Sequence, residues 1–194
     1  MEVVGFGCTA QVGKDTASTY LEEQYPGKFK RVAFADELKK AAMAIFDLSW
    51  EQCFGSQEIK ETIDSRYGKS PRQLLQELGV KMREIFPDIW VAKVFLETIP
   101  KLQEQGYEGF AVSDVRFPNE ADWIRKYGGI VVRVTRAGSG TTVGADHASE
   151  TSLKDYVCDV EISNNGTFEE YFEKLDRMME EVLQYGGDEG QDNN

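Results

Sequence analysis

Short apolar runs alternate along the chain with stretches whose apolar positions recur at three- and four-residue spacing. Glu2–Phe6 is β-rich and leads into a loop from Gly7 to Gly13. From Lys14 the spacing turns helical, with Ala17, Tyr20, Leu21 and Gln24 on one side, until Tyr25-Pro26-Gly27 stops it. Phe29–Ala35 predicts a second strand, with Asp36 as cap of a helix through Phe46. Asp47 to Lys69 is polar and irregular, with weak helical signals. Ser70-Pro71-Arg72-Gln73 is a clear helix start, with Ser at the cap, Pro at the first position and Gln three residues after the cap. That pattern continues to Phe86, breaks at Pro87 and resumes from Asp88 to about Glu104.

Gly109–Ser113 reads as a buried strand ending in Asp114-Val115-Arg116, followed by a short helix, Asn119–Tyr127, and a strand, Ile130–Thr135. Arg136–Glu150 is rich in Gly, Ser and Thr and is predicted to be a loop. Asp159–Ser163 is the last strand, and Thr167 with Glu170 forms a capping box. The final helix carries Phe168, Tyr171, Phe172, Leu175, Met178, Met179 and Val182 on one stripe, read as core. Gly186 onward reads as a solvated tail. Strands separated by helices imply a mostly parallel sheet of about five strands covered on both faces. Ligands of such sheets bind at the carboxyl ends of the strands, where every motif below falls.

Composition adds limits. At 194 residues the chain is expected to be one domain, and 41% hydrophobic residues can build a real core. A formal charge of −12 argues against binding a nucleic-acid polymer, which requires excess Lys and Arg on one face. Three widely spaced cysteines and a single histidine, His147, argue against a disulfide framework or a multi-histidine metal site. No secretory leader pattern and no run of 18 apolar residues is found, so a soluble, cytoplasmic protein without membrane partners is expected.

The strand–loop–helix from Val3 to Tyr20 contains Cys8-Thr9-Ala10-Gln11-Val12-Gly13-Lys14-Asp15-Thr16. In the phosphate-binding pattern G-x-x-x-x-G-K-[ST], consecutive backbone N–H groups and a helix N-terminus surround phosphates. The lysine adds a point charge near the transferred group, and the hydroxyl reaches Mg²⁺. Two positions depart from it: Cys8 replaces the first glycine, and Asp15 follows the lysine, moving the hydroxyl to Thr16. A strand-to-helix turn with a chance Gly-Lys is the alternative.

Several blocks together resemble the bacteriophage deoxynucleoside monophosphate kinases, P-loop enzymes that phosphorylate dNMPs with ATP. Val12-Gly13-Lys14-Asp15-Thr16 is similar to the family's S-G-K-D-T. Ser70 to Gly79 (SPRQLLQELG), Pro87-Asp88-Ile89-Trp90-Val91, and Ser113 to Ala121 (SDVRFPNEA) follow in order. Val134-Thr135-Arg136, Asp146 to Glu150 (DHASE), and Asn164-Asn165-Gly166-Thr167 complete the series, which spans nearly the whole chain.

The resemblance implies a three-layer α/β P-loop NTPase fold over residues 1–185, with a helical substrate-binding insertion at about 47–105, a lid at about 136–150 and an acidic tail from 186 to 194. It implies ATP contacts at Ala10, Gln11, Val12, Gly13, Lys14, Asp15, Thr16 and Asn165. Substrate contacts are implied at Lys39, Arg72, Trp90, Asp114, Arg116 and Glu120, with Arg83 a weaker candidate. Lys14, Arg136 and Asp114 would carry the chemistry, with Mg²⁺ near Thr16 and, through water, Asp114. An arginine fork grips a phosphate in two places, which a lysine cannot imitate. Solvated side chains, core packing for Trp90, a strand-end ion pair for Asp114 and Arg116, and an N-terminal helix charge for Glu120 are the alternatives. The expected partners are dNMP and ATP; a homodimer stays open. So do another small-molecule kinase, of dephospho-coenzyme A or phosphomevalonate type, and a nucleotide-binding protein without chemistry. A phage-encoded protein would work in the bacterial cytoplasm.

Overall fold

The computed structural model describes residues 1–7, 12–138, 153 and 156–188, with side chains through 183. The chain divides into two compact units: Met1–Val32 with the chain from Lys101 onward, and Ala33–Pro100.

The first unit is a parallel sheet. Strands β1 (Glu2–Gly7), β2 (Phe29–Val32), β3 (Gly109–Val115), β4 (Ile130–Thr135) and β5 (Val160–Ser163) lie in the order β2-β3-β1-β4-β5. Strand β1 is central, pairing β3 on one side (Val3 with Phe110) and β4 on the other (Val4 with Ile130). Its alternation sorts the two faces. Val4 and Phe6 join the core beneath helices α1 (Lys14–Gln24) and α9 (Phe168–Asp188), with Leu21, Phe29, Tyr171, Leu175 and Met179. On the opposite face, Gly5 lies under α8 (Pro118–Lys126), and a Cβ there would stand 2.3 Å from Ile124 Cδ1. Helices α1 and α9 are joined by the stacked rings of Tyr20 and Phe172, 4.1 Å apart, and by the Tyr20 hydroxyl donating to Asp176 at 2.9 Å.

The second unit is helical: α2 (Phe34–Phe46), α3 (Trp50–Phe54), α4 (Gln57–Glu61), α5 (Pro71–Ile85), α6 (Ile89–Lys93), a π-turn at Val94–Thr98 and the start of α7 (Ile99–Glu104). Ala42, Leu48, Cys53 and Leu74 form a core there. The expected cap of α5 is present: Ser70 Oγ accepts the Gln73 N–H, and Gln73 Oε1 accepts the Ser70 N–H at 2.9 Å. The loop before it is clamped by Arg66, whose guanidinium donates to Asp64 at 2.7 Å and to the Asp47 carbonyl at 3.1 Å.

Two expected boundaries are corrected, and one weak signal resolves into helices. Strand β2 ends at Val32, and α2 starts at Phe34 with extended Ala33 at its cap, so Asp36 stands inside the first turn. Its carboxylate favours the helix by charge, at the end where N–H groups converge. The weak helical signals within Asp47–Lys69 correspond to α3 and α4, each capped by a serine, Ser49 and Ser56. Helix α9 runs on through Gly186 to Asp188. Among the described residues no helix is long and apolar enough to cross a membrane.

Candidate functional site

The carboxyl ends of β1, β3, β4 and β5 lie along one edge of the first unit, because all four run parallel. Gly7 pairs with Val115 of β3 and with Arg133 of β4, which brings Asp114 and Arg116 to one side of the loop after β1 and Arg136 to the other. Residues 8–11 lie outside the described residues, and with them the expected ATP contacts Ala10 and Gln11, and Cys8.

The loop re-enters at Val12, 1% exposed, and turns into α1 at Gly13. Gly13 holds φ 105°, a left-handed conformation that a Cβ would strain. It caps α1 without a side chain, and its carbonyl accepts the Ala17 N–H at 3.0 Å. A helix start capped this way presents backbone N–H groups and the positive end of the dipole to an anion. Lys14, only 7% exposed, opens the first turn, followed by Asp15 and Thr16. Asp15 is an exposed first-turn acid paired with Arg31 of β2 at 2.8 Å.

Two residues outside the expected site hold this turn. Asn164, just after β5, donates from Nδ2 to the Val12 carbonyl at 2.9 Å. Tyr171 of α9 donates from its hydroxyl to the Gly13 carbonyl at 3.1 Å. Burial pushes the Tyr171 phenol well above its ordinary pKa, so it stays protonated and remains a donor. A partial signal for Asn164 existed in the sequence, since it shares the strand parity of buried Ile162. Tyr171 sat on the apolar stripe, where nothing marked its hydroxyl.

Asp114 is half-buried as the penultimate residue of β3, and Arg116 comes directly after the strand. Glu120 is 3% exposed, and its Oε2 accepts the backbone N–H of Arg116 at 2.8 Å and of Phe117 at 3.1 Å. Through these two bonds Glu120 ties the start of α8 to the end of β3. Arg136 is exposed; the next N–H, of Ala137, donates to Asn165 Oδ1 at 2.6 Å. Asn165, expected at ATP, is therefore bonded to the turn after β4. The remainder of the predicted lid, 139–150 with His147, lies outside the described residues.

In the second unit, Arg72 stands in the first turn of α5, with Nε 2.6 Å from Glu61 and Nη2 donating to Gln57 at 2.6 Å. Lys39 pairs with Asp36 at 2.9 Å and lies 4.4 Å from the centre of the Phe54 ring. Trp90, considered as a face for a base, is 4% exposed and packs as core of this unit, with Nε1 directed at the Gly79 carbonyl at 3.4 Å. Arg83 turns back toward the same carbonyl.

A five-stranded parallel sheet with helices on both faces and a Gly-Lys turn after its central strand defines a P-loop kinase fold. A solved dephospho-CoA kinase from Campylobacter jejuni has this fold, with a TM-score of 0.52 at 16% identity over 96% of this chain and all of that one. The family model for deoxynucleotide monophosphate kinase matches residues 46–175. A protein of Acanthamoeba polyphaga mimivirus, assigned by name to the deoxynucleotide monophosphate kinases, is 34% identical over 187 residues, covering 89% of this chain and 93% of its own. The deoxynucleotide monophosphate kinase of Enterobacteria phage T4 is 30% identical over 112 residues, 57% of this chain and 45% of the phage protein. The chain belongs to the deoxynucleotide monophosphate kinase family, a family of phosphotransferases.

Proposed function

We propose that the protein transfers the γ-phosphoryl group of ATP to a deoxynucleoside monophosphate, giving dNDP and ADP. The observation that carries this reading is the Gly13-Lys14 turn that opens α1, the helix following β1, with Asp114 and Arg116 at the end of neighbouring β3. An acceptor phosphate oxygen attacks the γ-phosphorus in line, and the bond to the β-phosphate oxygen breaks. The protein's task is to position both nucleotides and to stabilise charge on the migrating group.

The backbone N–H groups of Gly13, Lys14 and the residues after them would hold the ATP phosphates. The Lys14 ammonium, removed from bulk water, acts on the β- and γ-phosphates more strongly than an exposed charge would. Arg116 presents a planar fork to an acceptor phosphate, and Arg72 is proposed as a phosphate contact on the helical unit. Arg136 would stabilise the transferred group.

The donor set suits Mg²⁺, which keeps most of its shell as water and phosphate oxygens and asks few protein ligands. Thr16 supplies a hydroxyl beside Lys14, and Asp114 a carboxylate for a metal-bound water. A cage of three acids is not required, and none occurs among the described residues. When bound, the ion would offset phosphate charge.

The test is ADP release coupled to a spectrophotometric assay with ATP, Mg²⁺ and a panel of dNMPs, rNMPs and dephospho-coenzyme A. One or more dNMPs should stimulate release well above the acceptor-free rate. Stimulation by dephospho-coenzyme A alone, or ATP binding without transfer to any acceptor, would overturn the reading.

A further inference from the structure

We propose that Asn164 and Tyr171, contributed by the β5–α9 segment, are positioning residues that set the direction of the phosphate loop's N–H groups. The inference rests on the reading of residues 12–16 as the ATP phosphate loop and deepens it.

A peptide bond is planar and trans, so its C=O and the following N–H point in opposite directions. Holding the Val12 carbonyl therefore aims the Gly13 N–H, and holding the Gly13 carbonyl aims the Lys14 N–H. Asn164 holds the first at 2.9 Å and Tyr171 the second at 3.1 Å. Two consecutive donors are thereby turned away from the β5–α9 side, as a phosphate nest requires. A Val12 carbonyl free to rotate could let its peptide flip and present oxygen to a phosphate, and without the Tyr171 hydroxyl the Gly13 carbonyl keeps only the Ala17 N–H to hold it.

Both donors are themselves fixed. Asn164 is 8% exposed, and its own N–H donates to the Thr135 carbonyl at 2.7 Å, which anchors it to β4. Tyr171 is 1% exposed, with its ring in the core shared by Leu175 and Met179. The absent side chain of Gly13 completes the fit, because a Cβ there would lie 2.5 Å from Asn164 Nδ2. Glycine at this position serves a left-handed turn and the approach of the amide together. Both contacts join residues more than 150 positions apart, so a change in β5–α9 reaches the nucleotide through the loop.

The test uses the full chain and two variants. Tyr171→Phe removes only the hydroxyl. Asn164→Asp puts an oxygen where the donor was, facing the Val12 carbonyl. Mg·ATP affinity is measured by calorimetry without acceptor, and dNMP KM at saturating ATP. Loss of one such hydrogen bond should raise the ATP Kd about threefold to tenfold in Tyr171→Phe, and more in Asn164→Asp. The dNMP KM should stay within about twofold and the Tyr171→Phe melting temperature within a few degrees. An unchanged ATP Kd in a folded Tyr171→Phe protein would overturn the proposal, and so would an equal loss in ATP Kd and dNMP KM, which marks general loosening. Should Asn164→Asp fail to fold, Tyr171→Phe decides alone. Wild-type protein that binds ATP but phosphorylates no dNMP defeats the kinase assignment without touching this one; wild-type protein that binds no ATP overturns both.

Discussion

The carboxylate of Glu120 receives the backbone N–H of Arg116 at 2.8 Å, across the junction between β3 and α8. The Phe117 N–H reaches the same oxygen at 3.1 Å. A buried acid thus fixes the backbone from which the Arg116 guanidinium extends. Glu120→Ala strands two donors and should cost about 1–3 kcal/mol in urea unfolding. It should also raise dNMP KM by loosening Arg116. Glu120→Gln keeps an acceptor oxygen and should recover most of the stability; equal loss in both variants would contradict the capping role.

Lys14 is the sharpest probe of the chemistry. Lys14→Ala should lower kcat at least about a hundredfold, as removal of an electrostatic stabiliser does. Urea unfolding of the variant should stay cooperative, so that lost turnover reads as lost chemistry and not as lost fold. Near-normal turnover in the purified variant would remove residues 12–16 from the ATP site.

Arg116 and Arg72 can be separated from general charge effects by lysine. Arg116→Lys, and independently Arg72→Lys, retains the charge but loses the fork, so dNMP KM should rise while the ATP Kd persists. Arg72→Lys should also weaken the pairing with Glu61 and Gln57. A rise confined to the ATP Kd would move that arginine to the donor nucleotide.

Arg136 is exposed at the end of β4 and is proposed to meet the phosphoryl group in transfer. Arg136→Ala should lower kcat and kcat/KM together and leave KM for both nucleotides nearly unchanged. Steady-state kinetics decide this, and a loss seen only in KM would assign Arg136 to ground-state binding.

Tyr20 makes alkaline stability testable. Burial, followed by its hydrogen bond to Asp176, raises its phenol to about 12 from an ordinary value near 10. Between about pH 10 and about pH 12 the unfolded chain binds fewer protons at this site than the folded one, so stability falls as pH rises. The contribution is complete below pH 10 and lost on passing the folded value. Urea midpoints should therefore drop more steeply over that window in wild type than in Tyr20→Phe. Parallel pH curves would show that the Tyr20–Asp176 bond does not set this dependence.

Element type and order were legible in the sequence because their causes are local. The capping box at Ser70 and Gln73 and that at Thr167 and Glu170 both form, with Glu170 Oε2 accepting the Thr167 N–H at 2.9 Å. The Gly-Lys turn, the strand ends bearing Asp114 and Arg116, and the apolar stripe of α9 follow from neighbours a few residues apart. Tertiary structure alone decided the order β2-β3-β1-β4-β5, the burial of Trp90, and the use of the Glu120 carboxylate on backbone donors. It also decided that Asn164 and Tyr171 hold the phosphate turn, across 152 and 158 residues of chain. Periodicity says that a side chain faces inward. Which carbonyl waits there depends on how distant strands and helices pack.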